Sequence, residues 1–332
     1  MTDLAPRVGA FLREHLPQDR RLSRKTIASY ASSLQLLIAF ASARSGVRPC
    51  LLAIEHLTGQ VILDFLDSLE RERGNAARTR NLRLAAIKTF FRYLEFCVPE
   101  YLDRVQQVQA IPYKRFDRAL VDYLERDELQ AVLDAPNTRT RNGIRDRAML
   151  HTTYAAGLRV SELIGLKCKD LGINTDMVHV MGKGRRERTL PLWKETQTVL
   201  GEWLAARPNA TTDHLFLNGR GAAMSRHGFA HRLALHVATA RSKIPSLEGK
   251  RVSPHVLRHS CAMHTLEATR DIRKVSLWLG HSSLQSTEVY LRAHPNDKVE
   301  MLAEMTAPQI RKGKFGKAGD ELMAMLGELK RA

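Results

Sequence analysis

Ala156-Gly157-Leu158-Arg159-Val160-Ser161-Glu162 is the stretch on which the reading of this chain turns. The residues before it, from about Gly143 to Ala156, carry Ile144, Ala148, Leu150 and His151 and read as a helix. Gly157 ends that helix, since glycine readily adopts the left-handed conformation found at helix termini. Ser161-Glu162-Leu163-Ile164 then restarts helix. An arginine is thereby set at a junction between two helices. Taken alone, Arg159 beside Glu162 is equally consistent with an ordinary intrahelical ion pair.

Three further segments stand out downstream. Gly182-Lys183-Gly184-Arg185-Arg186-Glu187-Arg188 interrupts the one clear β signal, in which Met177–Met181 and Arg188–Leu192 flank it, and so puts Lys183 at a hairpin tip. No Walker pattern follows that lysine, which argues against a nucleotide-binding loop. Ser253-Pro254-His255-Val256-Leu257-Arg258-His259 places His255 and Arg258 three apart, on one face if helical. His255, His259 and His264 raise the thought of a metal site, but the His-Glu-x-x-His spacing is missing. Last, Leu279-Gly280-His281 is followed nine residues later by Tyr290, which by itself reads equally well as a buried aromatic.

Outward from these segments the chain reads as mainly α-helical with one small antiparallel β-sheet. Its 332 residues suggest two domains. In the first, residues 1–104, Ser23 caps a helix carrying Ile27, Tyr30, Leu34, Leu37 and Ile38. Thr58 caps a second, with Val61, Phe65, Leu66 and Leu69 on its apolar side, and a third runs from Ala77 to Phe96. The opposite side of that third helix carries Arg78, Arg80, Arg83 and Lys88, either a solvated face or a surface for phosphates. Periodicity fades over residues 105–122, which read as an interdomain linker. A second domain covers residues 123–300, opening on acidic residues that complement a helix dipole. Residues 301–332 hold a basic connector, Ile310 to Lys317, and a short amphipathic helix with Leu322, Met325, Leu326 and Leu329. This helix either folds back or docks on a neighbouring subunit.

A net charge of +17 implies a polyanionic partner, nucleic acid first. The basic residues are spread along the chain rather than gathered on one amphipathic helix, which argues against a membrane-surface role. No apolar run near the roughly 18 residues needed to cross a bilayer is expected. The N-terminus, Met1 to Pro6, lacks signal-peptide order, so a cytoplasmic protein is expected. Cys50, Cys97, Cys168 and Cys261 show no metal-ligand spacing and are expected as free thiols in or near the cores.

Together the four segments resemble the tyrosine recombinases, or phage-type integrases, and the Gly-Lys-Gly-Arg-Arg-Glu-Arg-Thr-Leu-Pro-Leu run is especially similar to their Xer-like bacterial branch. That family is marked by an arginine in G-L-R-x-S-E, a lysine in a G-K-G hairpin, an H-x-x-R segment, a G-H segment and a tyrosine soon after. The matching positions are Arg159, Lys183, His255 with Arg258, His281 and Tyr290. The resemblance implies a helical core-binding domain and an α+β catalytic domain that clamp double-stranded DNA at a specific site. It implies cleavage and rejoining through a 3′-phosphotyrosyl bond to Tyr290, needing neither metal nor nucleotide, by four protomers on two DNA sites, with or without sibling recombinases. Arg159, Arg258 and His281 would hold the non-bridging oxygens, His255 would act as base and Lys183 as acid, with Glu162 structural. The chain starts almost directly in the core-binding domain, so the extra arm-binding domain of some phage integrases is not expected, which tilts the reading towards a mobile element. Two alternatives stay open at this point: relaxation of supercoils by a type IB topoisomerase-like enzyme, and a DNA-binding protein that has lost catalysis.

Overall fold

The computed structural model describes residues 3–116, 121–182, 187–281 and 283–291. The chain divides into two compact units, Met1–Arg118 and Ala119–Ala332.

The first unit is helical. α1 (Leu4–Ala10) continues into a wider π-helical stretch, Phe11–Asp19. α2 (Arg24–Ser45) starts at Ser23, whose hydroxyl accepts the Thr26 amide at 3.3 Å, and stops at Gly46 in the left-handed conformation. α3 (Gly59–Arg71) is capped by Thr58, which accepts the Val61 amide at 3.2 Å. Each such cap satisfies an otherwise orphaned amide, a gain of about 1 kcal/mol. α4 (Ala77–Cys97) and α5 (Leu102–Ala110) complete the unit. Phe11, Leu37, Phe65, Ile87, Phe90 and Phe91 form its core.

Three expectations change here. Residues 102–110 are helix, not linker, because Val105 and Val108 bury against the first core despite their glutamine-rich flanks. The basic side of α4 is not one surface. Arg80 is buried beside Glu70 at 3.7 Å, and Lys88 donates to the Gln109 carbonyl at 2.7 Å while lying over the Tyr113 ring. Third, α2 is long and apolar enough to cross a membrane by length and composition, where no such run was expected. Its buried residues, Ser33, Leu34, Leu37 and Ala41, face the first unit's core.

The second unit carries α6 (Arg126–Leu133), α7 (Arg141–Ala155) and α8 (Val160–Gly165). A two-stranded antiparallel hairpin follows, β1 (Met177–Met181) and β2 (Glu187–Pro191), paired from Met177 with Pro191 to Met181 with Glu187. The second strand starts one residue earlier than its sequence suggested. Then come α9 (Lys194–Ala206), α10 (Arg226–Arg241), α11 (Pro254–Thr269), α12 (Ile272–Leu279) and the short α13 (Glu288–Leu291). The mainly helical fold with a small antiparallel sheet is the one expected.

α7 runs through the middle, with Ala148, Met149, Leu150 and Ala155 buried. Asp146 ties it to α10: this buried carboxylate accepts from Arg145 at 2.7 Å, Arg232 at 2.6 Å and His236 at 2.9 Å. At the start of α6, Glu128 accepts the Glu125 amide and is also held by Ser246 and Lys250, each at 2.7 Å. The acidic first turn thus ties down the unit's edge as well as complementing a dipole. The cysteines are free thiols, but Cys50 is exposed rather than in a core.

The turn after α7 is set by Gly157 at φ +56°. A Cβ there would lie 2.6 Å from Leu279 Cδ2 and 3.1 Å from Cys261 Sγ, so the position is closed by packing as well as by conformation. Gly157→Ala is expected to cost about 2–4 kcal/mol, combining the left-handed penalty with overpacking. Urea unfolding monitored by circular dichroism checks this; an unchanged midpoint would refute the closed turn.

Candidate active site

Arg159 stands as the N-cap of α8, where the Glu162 carboxylate reaches back to its amide at 3.0 Å and to its guanidinium at 2.8 Å. The same carboxylate receives Arg188 of β2 at 2.8 Å, and Arg258 of α11 lies 3.8 Å away. Glu162 therefore gathers three guanidiniums from a helix start, a strand and a second helix. Burial alone would raise its carboxyl, but hydrogen bonds from Arg188 and from the Arg159 amide bring it below the ordinary carboxylate range. Three cations around one anion leave two positive charges uncompensated.

Arg258 is the deepest of the three. Its guanidinium donates to the carbonyl of Gly157 and, at 2.8 Å, to that of Leu279, so the ends of α7 and α12 fix its plane. Burial, and then the Arg159 charge, bring it down to about 10, still charged at neutral pH. Arg188 keeps a buried Nε without a hydrogen-bond partner among the described residues. A shallow cavity lined by Gly182, Arg188, Arg273, Gly280 and His281 opens beside it. Such an excess of forked donors suits a phosphate.

Tyr290, on α13, is buried, and its hydroxyl lies 2.9 Å from Nδ1 of His259. Burial pushes the phenol up to about 12, although Arg258 and Arg159 pull it down. His281 follows Gly280, the left-handed terminator of α12. Its Nδ1 is 2.7 Å from the Thr287 hydroxyl, and its ring lies nearly parallel to that of Tyr290 with centroids 6.5 Å apart. His259 and His281 are each brought down to about 4, first by burial and then by neighbouring positive charge, from His255 and Arg258 on one and from the arginines on the other.

Of the residues expected from sequence, Arg159, Arg258, His281 and Tyr290 lie in one cluster. Lys183 falls outside the described residues. His255, on the first turn of α11, is exposed, whereas Arg258, three residues on, is buried. Sequence reasoning passed over two members, Arg188 and His259. Arg188 was legible as the last arginine of the hairpin motif. His259, next to Arg258, was weighed only as a metal ligand.

A mostly helical unit with a hairpin, carrying a guanidinium cluster around a buried phenol in a strongly basic chain, defines the class: an enzyme of phosphoryl transfer on DNA strands. Residues 122–297 match the phage integrase family, and residues 10–95 match the phage integrase N-terminal SAM-like domain. A protein of Sinorhizobium fredii named as an integrase/recombinase, y4rC, is 42% identical over 98% of both chains. Tyrosine recombinase XerC of Pelobacter propionicus is 34% identical over 89% of this chain and 97% of its own. In fold, the chain is similar to the Tn1549 transposon integrase solved in complex with circular intermediate DNA, with a TM-score of 0.70 at 15% identity over 92% of this chain and all of that one. The chain belongs to the phage integrase family, the tyrosine recombinases, and is an enzyme of DNA cleavage and rejoining.

The buried imidazoles of His151, His259 and His281, each at about 4 in the folded state, have a thermodynamic consequence. Unfolded, they protonate near pH 6.5. Their contribution is complete above that pH and is lost as pH falls towards 4, because the unfolded chain then binds more protons. The urea midpoint is expected to fall steadily between pH 6.5 and 4; a midpoint flat across that window would contradict the neutral imidazoles.

Proposed function

We propose that the protein is a site-specific recombinase whose Tyr290 attacks the scissile phosphodiester and forms a 3′-phosphotyrosyl bond, freeing a 5′ hydroxyl. The observation carrying this is that a buried phenol shares one cluster with three guanidiniums held on a single carboxylate.

In this reading Arg159 and Arg258 bind the two non-bridging oxygens and His281 adds a third donor. Charge grows on these oxygens in the transition state, so preorganised donors act there most strongly. Arg258 can do so without searching for its position, being tied to two backbone carbonyls. Lys183 protonates the departing 5′ oxygen, and His255, exposed at the rim, exchanges protons with solvent. The bond to Tyr290 conserves the energy of the phosphodiester, so rejoining needs no nucleotide, and the cationic side chains carry the charge stabilisation without a metal.

The DNA substrate is a double-stranded site of defined sequence in the cytoplasm. The helical first unit and the catalytic unit of residues 123–300 close on it as a clamp. Four protomers assemble on two such sites, alone or with related recombinases, and the amphipathic helix within residues 301–332, outside the described residues, links one protomer to the next. The family resemblance and the charge of +17 support this arrangement. Integration or transposition of a mobile element is the biological setting it fits.

A duplex selected from a randomised pool by the full-length protein, nicked beside the scissile phosphate, tests the chemistry. Wild type is expected to form a covalent adduct. Tyr290→Phe should form none yet bind with nearly unchanged affinity, and binding should weaken with salt by a log–log slope of about 0.9 per phosphate contact. Equal trapping by Tyr290→Phe would rule out this nucleophile.

A further inference from the structure

The phenol of Tyr290 is too weak an acid to attack unaided: at about 12 it is ionised to roughly one part in a hundred thousand at pH 7. A proton acceptor must therefore touch it. Among the described residues the geometry narrows the choice. Glu162 has both oxygens occupied by guanidiniums. His281 commits Nδ1 to Thr287, and its ring centroid stands 6.5 Å from that of the phenol. His255 is exposed, with its ring centroid 6.5 Å from that of His259 rather than against the phenol. His259 alone meets the hydroxyl, with Nδ1 at 2.9 Å and the two rings edge to face at 5.6 Å.

We infer that His259 is the immediate acceptor of the Tyr290 proton during strand cleavage, and that His255 beside it passes that proton to solvent. The assignment rests on the recombinase reading above and deepens it. As the phenolic oxygen bonds to phosphorus, the O–H bond breaks and its proton moves to His259 Nδ1, which requires the tautomer carrying hydrogen on Nε2. The P–O5′ bond breaks at the same centre, and the 5′ oxygen takes a proton from Lys183. In rejoining, a 5′ hydroxyl attacks and gives its proton back to Lys183, the Tyr290–phosphorus bond breaks, and His259, reprotonated from solvent through His255, returns a proton to the phenolic oxygen. Protons and bonds balance, and no further reactant is needed.

Burial and the charges of His255 and Arg258 hold His259 neutral, so its Nδ1 lone pair is free to receive. A phosphodiester seated against the arginines brings negative charge to the same place and so favours the imidazolium. Basicity would rise only with substrate bound, which protects the resting phenol.

The test uses the full-length chain and the selected nicked duplex, with either oxygen or sulfur at the scissile 5′ bridging position. His259→Asn retains an acceptor for the hydroxyl but cannot take a proton. It is expected to bind DNA as wild type does and to form adduct about 100-fold more slowly on both substrates, the low end for loss of a general base. Lys183→Ala should be slow with oxygen and recover with sulfur, which leaves without a proton. As a second variant, His259→Ala should regain rate when free imidazole is added. Adduct formation by His259→Asn within threefold of wild type would show a merely positional histidine and overturn the assignment. So would recovery of His259→Asn on the sulfur substrate, which would place the residue on the leaving-group side. Failure of wild type itself to form any adduct would instead overturn the recombinase reading, and the acceptor role with it.

Discussion

The carboxylate of Glu162 is the constraint on which the site depends. Arg159, Arg188 and Arg258 come from three separate elements, and like charges brought together repel unless an anion lies among them. Glu162 supplies that anion at the first turn of α8, where the helix N-terminus also favours negative charge. Removing it would leave buried guanidiniums facing one another, a far larger loss than that of a surface ion pair. Its compensation is nonetheless partial. Arg258 is brought down first by its burial and then by the Arg159 charge, and the uncompensated positive charge is what an incoming phosphodiester would relieve.

The backbone around the cluster is arranged to the same end. Gly157 and Gly280 both adopt the left-handed conformation, and both turns close against site residues. The carbonyl of Gly157 accepts Arg258, and a Cβ on Gly280 would sit 3.0 Å from the Arg188 side chain. The Leu279 carbonyl, at the end of α12, takes the other arm of Arg258. Helix ends carry unsatisfied carbonyls, and here two of them become the mount for a cation. The core beneath, from α7 to Leu279, is packed tightly enough that neither end can drift without disturbing Arg258.

Much of this was legible in the sequence, and what was missed has physical causes. The caps at Ser23 and Thr58, the helix ending at Gly157 and the hairpin followed from local rules, because those rules concern neighbours in the chain. Arg159, Arg258, His281 and Tyr290 were legible as a set through motif spacing, not through any property of each alone. The burial of Arg80 against Glu70 was not legible, since periodicity gives a face but not what covers it. α5 was missed because two valines among glutamines make too weak a stripe to register without the partner surface. The pairing of His259 with Tyr290 spans 31 positions and depends on how α13 returns to α11. Spacing on α11 alone favoured His255, three residues before Arg258, whereas it is His259, one turn further on, whose ring nitrogen meets the phenol hydroxyl.

Neutral imidazoles beside a surplus of guanidinium charge also solve a problem of selectivity in time. A permanently ionised phenol amid these arginines would be a strong nucleophile towards any phosphate that reached it. Burial instead keeps Tyr290 protonated and His259 and His281 uncharged. The neutral state of the two histidines is the one disfavoured by an added anion, since phosphate would stabilise imidazolium; the same anion favours the protonated phenol, so the proton must be drawn off by His259 rather than lost to the field. The protein's own desolvation therefore sets the resting protonation, and the substrate's charge is the quantity that shifts it. Reactivity then depends on a phosphodiester being pressed into the cluster rather than merely near it, which is the coupling an enzyme that cuts and rejoins DNA requires.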